Sequence, residues 1–336
     1  MSYALGSIIG ALVGDAAGVT LEFYKGGAID EIVAEKAMRM PGGGSLNVAP
    51  GQISDDGELT LALYNALKVA SKETGCLIEY PIEAVATAYS EWHSSLPFDC
   101  GMTCGRAFGF FKCAESMQHN ASKYSILSEA NGALMRCTPI PALFYKLSYA
   151  KIAEYAVLDA SLSHPSEICK NCNALYCVAI AYLIKNYSMS RAERAKGAVD
   201  LIDSWNTWSP YAIHPKVQSW LEDSKRDRYD GNCRVNIGHV KHAFTLAMHF
   251  LRKCASYEDA IKQTLMMGGD TDTNACIVGG MMGALHGYGF MPDYMKGPVL
   301  RFDPVTWNVA ESLLGYNRQG IYRPFNVVRD RLNDLL

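Results

Sequence analysis

The sequence predicts an all-α fold, and three observations carry that expectation. Apolar residues recur at helical spacing through most of the chain, while no alternating run or Asn-Gly hairpin recurs at strand spacing. Two segments, near opposite ends, place glycines four residues apart, a spacing that lines up one face only on a helix. No internal repeat, low-complexity tract or long linker divides the sequence. Residues 1–336 are therefore expected to form one compact domain of roughly a dozen helices, with a surface excursion near 203–232.

Composition narrows the function classes. Hydrophobic residues make up 49% of the 336 and charged ones 19%, ordinary for a globular protein with a large core. A net charge of -3 gives no basic surface for nucleic acid or an anionic membrane. The apolar start, Ala4 to Gly14, lacks a basic leader and is interrupted by Asp15, so neither a signal peptide nor a membrane span is expected. Eleven cysteines without a secretion signal read as reduced thiols in the cytoplasm. Cys169-Lys-Asn-Cys172 is a lone pair with no second pair or histidines at zinc spacing, and reads as buried thiols on a helix.

In chain order, Gly6, Gly10, Gly14 and Gly18 form one continuous edge of the first helix. Glycine costs about 1 kcal/mol against alanine in a helix, so four in register imply a compensating close approach by another helix. Gly279, Gly283 and Gly287 form a similar edge, and the two helices are expected to lie side by side. After Asp15 and Glu22 comes a loop rich in glycine and proline, ending in Ser54-Asp55-Asp56-Gly57. The apolar spacing that follows is helical, with Ser54 or Asp55 as N-cap. Further helices are expected over 82–92, from Cys104 through Phe111, over 150–162 and 168–186, over 238–253, and at the C-terminus over 325–336. Phe108, Phe110 and Phe111 read as core, and Trp205, Trp208 and Trp220 as packing for the excursion. Arg136 reads as a structural ion pair rather than a phosphate contact.

The chain is organised around Gly268-Gly-Asp270-Thr-Asp272-Thr273, two acids and a hydroxyl at the mouth of a small-residue helix. Ser54, Asp55 and Asp56 repeat the pattern about two hundred residues earlier in the chain. Hard divalent cations such as magnesium and manganese take carboxylate and hydroxyl oxygens. Each cluster alone reads better as a capped helix with exposed acids. Together, if the glycine-edged helices pack, they converge, and four carboxylates at that distance require a cation.

The order Gly14-Asp-Ala-Ala-Gly18 with Glu22, Ser54-Asp55-Asp56, Asn131-Gly-Ala-Leu-Met-Arg136, Ser163-His164-Pro165 and Gly268-Gly-Asp-Thr-Asp-Thr273 closely resembles the ADP-ribosylglycohydrolase family. The resemblance spans residues 4–290 and implies an all-α fold with two Mg2+ or Mn2+ ions. The implied activity is hydrolysis of the bond between ADP-ribose and an acceptor, commonly a protein side chain; arginine, serine, an ADP-ribose chain and a small ester stay open. It places Ser54, Asp55, Asp56, Asp270, Asp272 and Thr273 on metal-ligand positions, and Glu22 and Asp99 on catalytic acids. It places Gly101, Thr103, Asn131, Gly132 and His164 in the loops that hold ADP-ribose. Bland roles stand beside these: Asp99 and Asn131 as turn formers with Gly132 left-handed, and His164 as a cap. Three positions depart from the family pattern, the first being Ser54 in place of a threonine, which keeps the hydroxyl. Gly57 stands where a threonine is usual, and His239 where many members carry a tyrosine. The alternative is a non-catalytic, crystallin-like relative that binds ADP-ribose or serves structurally. The implied partner is an ADP-ribosylated protein or conjugate, with a monomer favoured.

Overall fold

The glycine edge of the first helix meets a second backbone, as its spacing requires. In the computed structural model, which describes residues 2–74, 79–109 and 113–303 with Val328 and Leu332, helix α1 (Ser2–Gly18) runs antiparallel to helix α15 (Thr271–His286). A β-carbon on Gly6 would come 2.5 Å from the Gly283 carbonyl oxygen, one on Gly10 2.3 Å from that of Gly279, and one on Gly14 2.0 Å from that of Ala275. At Gly18 the nearest atom would be the Asp272 Cα, at 2.4 Å. The approach is reciprocal, since β-carbons on Gly279 and Gly283 would strike the Gly10 and Gly6 carbonyls at 2.2 and 2.0 Å. Alanine at any of these sites would push the rods apart, which is why the helix tolerates the glycine penalty. Gly287 closes the edge, its carbonyl carbon 2.8 Å from where a Gly6 β-carbon would lie. It ends α15 with φ +83°, facing the Tyr3 ring.

The described residues hold sixteen α-helices, one 3₁₀ turn and no strand. Between α1 and α15 the order is α2 (Glu31–Ala37), α3 (Asp55–Thr74), α4 (Ile82–Ser94), α5 (Met102–Phe108), α6 (Ala114–Ser125), α7 (Pro139–Phe144) and α8 (Tyr149–Ser161). It continues with α9 (Glu167–Lys185), α10 (Arg191–Asp203), α11 (Trp205–Trp208), α12 (Pro215–Asp223), α13 (Val240–Lys253) and α14 (Tyr257–Met267), and α16 (Asp293–Arg301) follows α15. The count exceeds a dozen because short capped helices fill stretches expected to be loop. Helix α2 is one, its N-cap Asp30 accepting the Val33 amide at 2.9 Å. Gly238 is not helical either. It turns at φ +81° before α13 begins.

Every residue of α15 is buried, and so is α1 from Ala4 onward, so this pair is the centre of the core. Helices α3, α9, α13 and α14 pack around it. Among the described residues no helix is long and apolar enough to cross a membrane. The excursion carries the two short helices α11 and α12, but Trp205 and Trp220 are buried in the main core. Phe108 is fully buried as expected, whereas Phe110, Phe111 and most of 325–336 lie outside the described residues. The ten described cysteines are free thiols, and Cys169 and Cys172 are buried on α9. Arg136 is a structural ion pair: its Nε donates to Asp159 Oδ2 at 3.2 Å, with both side chains fully buried.

Candidate metal centre and the cleft above it

The antiparallel pairing sets the position of the first acid cluster. Because Gly18 at the end of α1 touches the backbone at Asp272, the mouth of α15 lies where α1 gives way to Glu22. Thr271 fixes this junction by donating its hydroxyl to the Gly18 carbonyl at 2.8 Å. The second cluster arrives on α3. Asp56 Oδ2 accepts the Ser54 hydroxyl at 3.1 Å and the Thr273 hydroxyl at 3.3 Å, joining residues 217 positions apart. Ser54 and Asp56 are fully enclosed, Asp55 and Asp272 nearly so.

Asp15 is a member of this cluster that sequence reasoning missed. It projects from α1, fully buried, and its carboxylate accepts the Ser54 amide at 2.9 Å and the Gly57 amide at 2.8 Å. Ser54 thus holds the N-cap position of α3, but its amides are met by an acid 39 residues away. The signal was present, since an acid inside an otherwise apolar glycine-edged helix needs a buried partner. Gly57 belongs to the same arrangement. A β-carbon there would come 2.6 Å from Asp15 Oδ2, so the residue without a side chain leaves space for the cap.

Crowding governs the electrostatics. Burial, then the neighbouring carboxylates, raises Asp55, Asp56 and Asp272 well above the usual carboxylate range. Glu22 is pushed up to about 8, by burial first and then by the charges of Asp99, Asp270 and Asp15. Asp15 rises to about 7 through burial, despite the amides it accepts. Asp99 is raised too, by burial and the Asp270 charge, while the Cys100 amide bonded to it opposes the shift. Two buried oxygens, Asp56 Oδ1 and Glu22 Oε2, have no hydrogen-bond partner among the described residues. Carboxylate oxygens of Glu22, Asp270 and Asp272 lie within 4.8 Å of one another, as do those of Asp15, Asp56 and Asp272. An all-oxygen donor set with unpartnered oxygens and mutual repulsion is what a hard cation relieves.

Above this floor opens a cleft of about 390 Å3. It is lined by Glu22, Asp55, Asp99, Gly101, Thr103, Asn131, Gly132, His164, Asp270, Asp272 and Thr273. Of the metal, catalytic and ADP-ribose positions that the resemblance assigns, only Ser54 and Asp56 are not in its wall. Phe23, Cys104, Ile237 and Gly238 also line it, with no sequence signal to mark them.

Each wall has a physical support. The Gly101 amide donates to Asp55 Oδ2 at 3.3 Å, and the Thr103 hydroxyl pairs with that of Ser128 at 3.0 Å. Asn131 is more than a turn former: its Nδ2 donates to Asp270 Oδ2 at 2.7 Å, and its amide bonds the Gly238 carbonyl at 3.0 Å. Gly132 is not left-handed; it is small because a β-carbon would come 3.0 Å from both the His164 ring and the Cys104 sulfur. Arg136 Nη1 holds the Gly132 carbonyl at 3.2 Å, so the ion pair supports the cleft from behind. His164 does not cap a helix, since Ser166 occupies that position at α9. Its Nδ1 pairs with the Ser163 hydroxyl at 2.8 Å, while Nε2 has no partner among the described residues. Burial and the nearby Arg136 charge push its pKa down to about 3, so the ring is neutral. His239 is absent from the lining and pairs instead with Glu129 at 3.0 Å.

Comparison with known proteins identifies the family. Residues 1–321 match the family model described as ADP-ribosylglycohydrolase. A protein of Acanthamoeba polyphaga mimivirus, provisionally named an ADP-ribosyl glycohydrolase, is 29% identical over 88% of this chain and 90% of its own. The ADP-ribosyl-[dinitrogen reductase] glycohydrolase of Rhodospirillum rubrum is 26% identical over 86% and 87%. An ADP-ribosylarginine hydrolase of Serratia proteamaculans is 24% identical over 92% and 78%. The fold is shared with a solved ADP-ribosylglycohydrolase-related protein, at a TM-score of 0.69 and 18% identity, covering 94% of this chain and 97% of that one. The chain belongs to the ADP-ribosylglycohydrolase family.

Proposed function

We propose that this member of the ADP-ribosylglycohydrolase family is a metal-dependent hydrolase that releases ADP-ribose from an ADP-ribosylated protein, with arginine as the acceptor side chain. The observation that carries the reading is the meeting of two acid-bearing helix starts beneath a cleft whose wall holds Glu22 and Asp99. Ser54, Asp55, Asp56, Asp270, Asp272 and Thr273 are the residues that would hold two Mg2+ or Mn2+ ions. Bound there, the ions supply positive charge to the ribose hydroxyls and lower the pKa of an attacking water.

The remaining work falls to the chain itself. Gly101, Thr103, Asn131, Gly132 and the unpartnered Nε2 of neutral His164 hold ADP-ribose along the cleft. As water attacks the anomeric carbon, Glu22 takes its proton on Oε2, the oxygen without a protein partner. The bond from that carbon to the acceptor nitrogen breaks, and Glu22 returns the proton to the leaving nitrogen. Asp99 acts on Glu22 through its charge, which helps keep that carboxyl basic enough to move a proton near neutral pH. An acid-lined mouth suits the guanidinium of an arginine acceptor, in line with the name of the Serratia relative.

The test is release of ADP-ribose from a protein ADP-ribosylated on arginine, with magnesium or manganese present and then chelated. Release that requires metal and is lost in Asp55→Ala and Asp270→Ala supports the reading. Full-rate release by either variant refutes it. Tight binding of ADP-ribose without turnover on arginine-, serine- or chain-linked substrates would instead assign the protein as a binder.

A further inference from the structure

We propose that a second pocket, beside the cleft, seats the acceptor protein and reads an acidic residue next to the modified side chain, with Arg234 as the reading group. The proposal rests on the hydrolase function above.

This pocket has a volume of about 270 Å3 and shares one wall, Phe23 and Ile237, with the cleft. It lies beside the acid cluster. Its lining includes Gly268 and Gly269, next in sequence to Asp270, and Leu21 and Phe23, which flank Glu22. None of the loops at 99–104, 130–135 or 164 reaches it. With ADP-ribose held by those loops and its anomeric carbon at Glu22, what continues past Glu22 is the acceptor.

The chemistry of the pocket is apolar with a single positive charge. Phe23 and Ile237 are 51% and 49% exposed, and Tyr24 is 38% exposed, an apolar rim with no covering partner in the described residues. Phe23 is held there by a left-handed backbone, φ +55°, unusual for an aromatic residue. Arg234 is exposed, and its guanidinium makes no ion pair or hydrogen bond among the described residues. It is nonetheless placed. A β-carbon on Gly268 would come 2.7 Å from Arg234 Nε, so the guanidinium lies across the backbone of this glycine, whose φ of +67° itself favours glycine. Gly269 is pinned in turn, since its β-carbon would strike the Cys233 carbonyl at 2.0 Å. The Gly-Gly pair before Asp270 therefore clamps the 233–238 loop, with its arginine, onto the metal centre.

Arg234 is the only lysine or arginine lining either cavity, among the described residues. Its charge disfavours the acceptor guanidinium itself, which the acids of the cleft receive. It favours a carboxylate beside that guanidinium, while Phe23, Tyr24 and Ile237 take an apolar neighbour. The occupant is thus an acceptor segment carrying Asp or Glu and an aliphatic residue near the modified arginine.

Three substrates test this: free ADP-ribosyl-arginine, and two ADP-ribosyl-arginine peptides with Glu or Lys beside the modified residue. The wild-type protein is expected to prefer the Glu peptide by about tenfold in kcat/KM, the scale of one charge-assisted hydrogen bond. Arg234→Glu should reverse that preference and leave hydrolysis of free ADP-ribosyl-arginine unchanged; Arg234→Ala should abolish the preference. Equal treatment of both peptides by wild type, or an equal loss on all three substrates in the variants, overturns the proposal. If wild type hydrolyses none of them, the hydrolase reading fails. The pocket is then judged by fluorescence anisotropy with the same labelled peptides. A preference for Glu that reverses in Arg234→Glu supports it, and charge-blind binding ends it.

Discussion

Thr273 donates its hydroxyl to Asp56 at 3.3 Å, and that bond is where the two halves of the candidate site join. Both residues sit within the first turn of a helix, and neither helix brings its acids together alone. The bond exists because α1 and α15 lie backbone to backbone, and because Asp15 on α1 takes the amides that open α3.

The close packing of the rods predicts the effect of Gly10→Ala. Helix propensity alone would stabilise by about 1 kcal/mol. The new β-carbon would sit 2.3 Å from the Gly279 carbonyl oxygen, which is backbone and cannot swing aside. Net destabilisation of roughly 1–3 kcal/mol or more is expected in urea denaturation, together with weaker metal binding as Asp272 shifts. Unchanged stability would show that the approach is looser than described.

Asp15→Ala removes the acceptor for two buried amides. A stability loss of about 1–3 kcal/mol is expected, with poorer metal affinity by calorimetry because the turn carrying Asp55 and Asp56 frays. Asp15→Asn keeps an acceptor oxygen and should recover much of both. If Ala and Asn behave alike, the capping role is wrong.

Crowded acids set the pH dependence of the metal-free protein. Glu22 and Asp15, with folded values raised to about 8 and about 7, bind protons in the fold that the unfolded chain has already released above roughly pH 4.5. Their contribution is therefore present at low pH and is lost as pH rises from about 4.5 to 8. Magnesium or manganese should reverse this slope, because the cations bind the deprotonated site. Thermal melting from pH 5 to 8.5, with metal and with chelator, should show curves that diverge as pH rises. Parallel curves would argue against a cation at these acids.

His164 gives the opposite slope on the acid side. Its folded value, near 3, lies below the unfolded value of 6.5, so the unfolded state binds the extra proton between them. Stability is lost as pH falls through that window. His164→Gln should flatten that part of the melting profile and weaken ADP-ribose binding about tenfold, the loss of one hydrogen bond to ligand. An unchanged acid limb would mean the ring is not buried as described.

Glu22→Gln keeps size and burial but cannot take a proton. A loss of about 100-fold or more in kcat is expected, the usual scale for a general base, with metal-dependent melting retained. Activity near wild type would shift the role to Asp99.

Much of this was legible in the chain. Glycines four apart at Gly6 to Gly18, and again at Gly279, Gly283 and Gly287, declare a backbone contact, because a glycine row in a helix is costly without one. The acids at both helix starts were legible for the same reason: capping needs one acid, not two with a hydroxyl. Less legible were the short helices such as α2, whose few turns leave little periodicity to read. Gly57 was visible only as a departure from a pattern, and its cause, the Asp15 carboxylate beside it, lies 42 residues away.

By itself the sequence determined the class of the fold, the pairing of its two central rods and the acids at the two helix starts, all local properties of spacing and chemistry. Only the tertiary structure decided what those acids face. Asp15 as the cap of α3, the retreat of His239 to Glu129, the neutral ring of His164 and the arginine laid over Gly268 each depend on which backbone passes within a few ångströms. Local spacing carries no record of that distance, because it is set by how all the helices share one core.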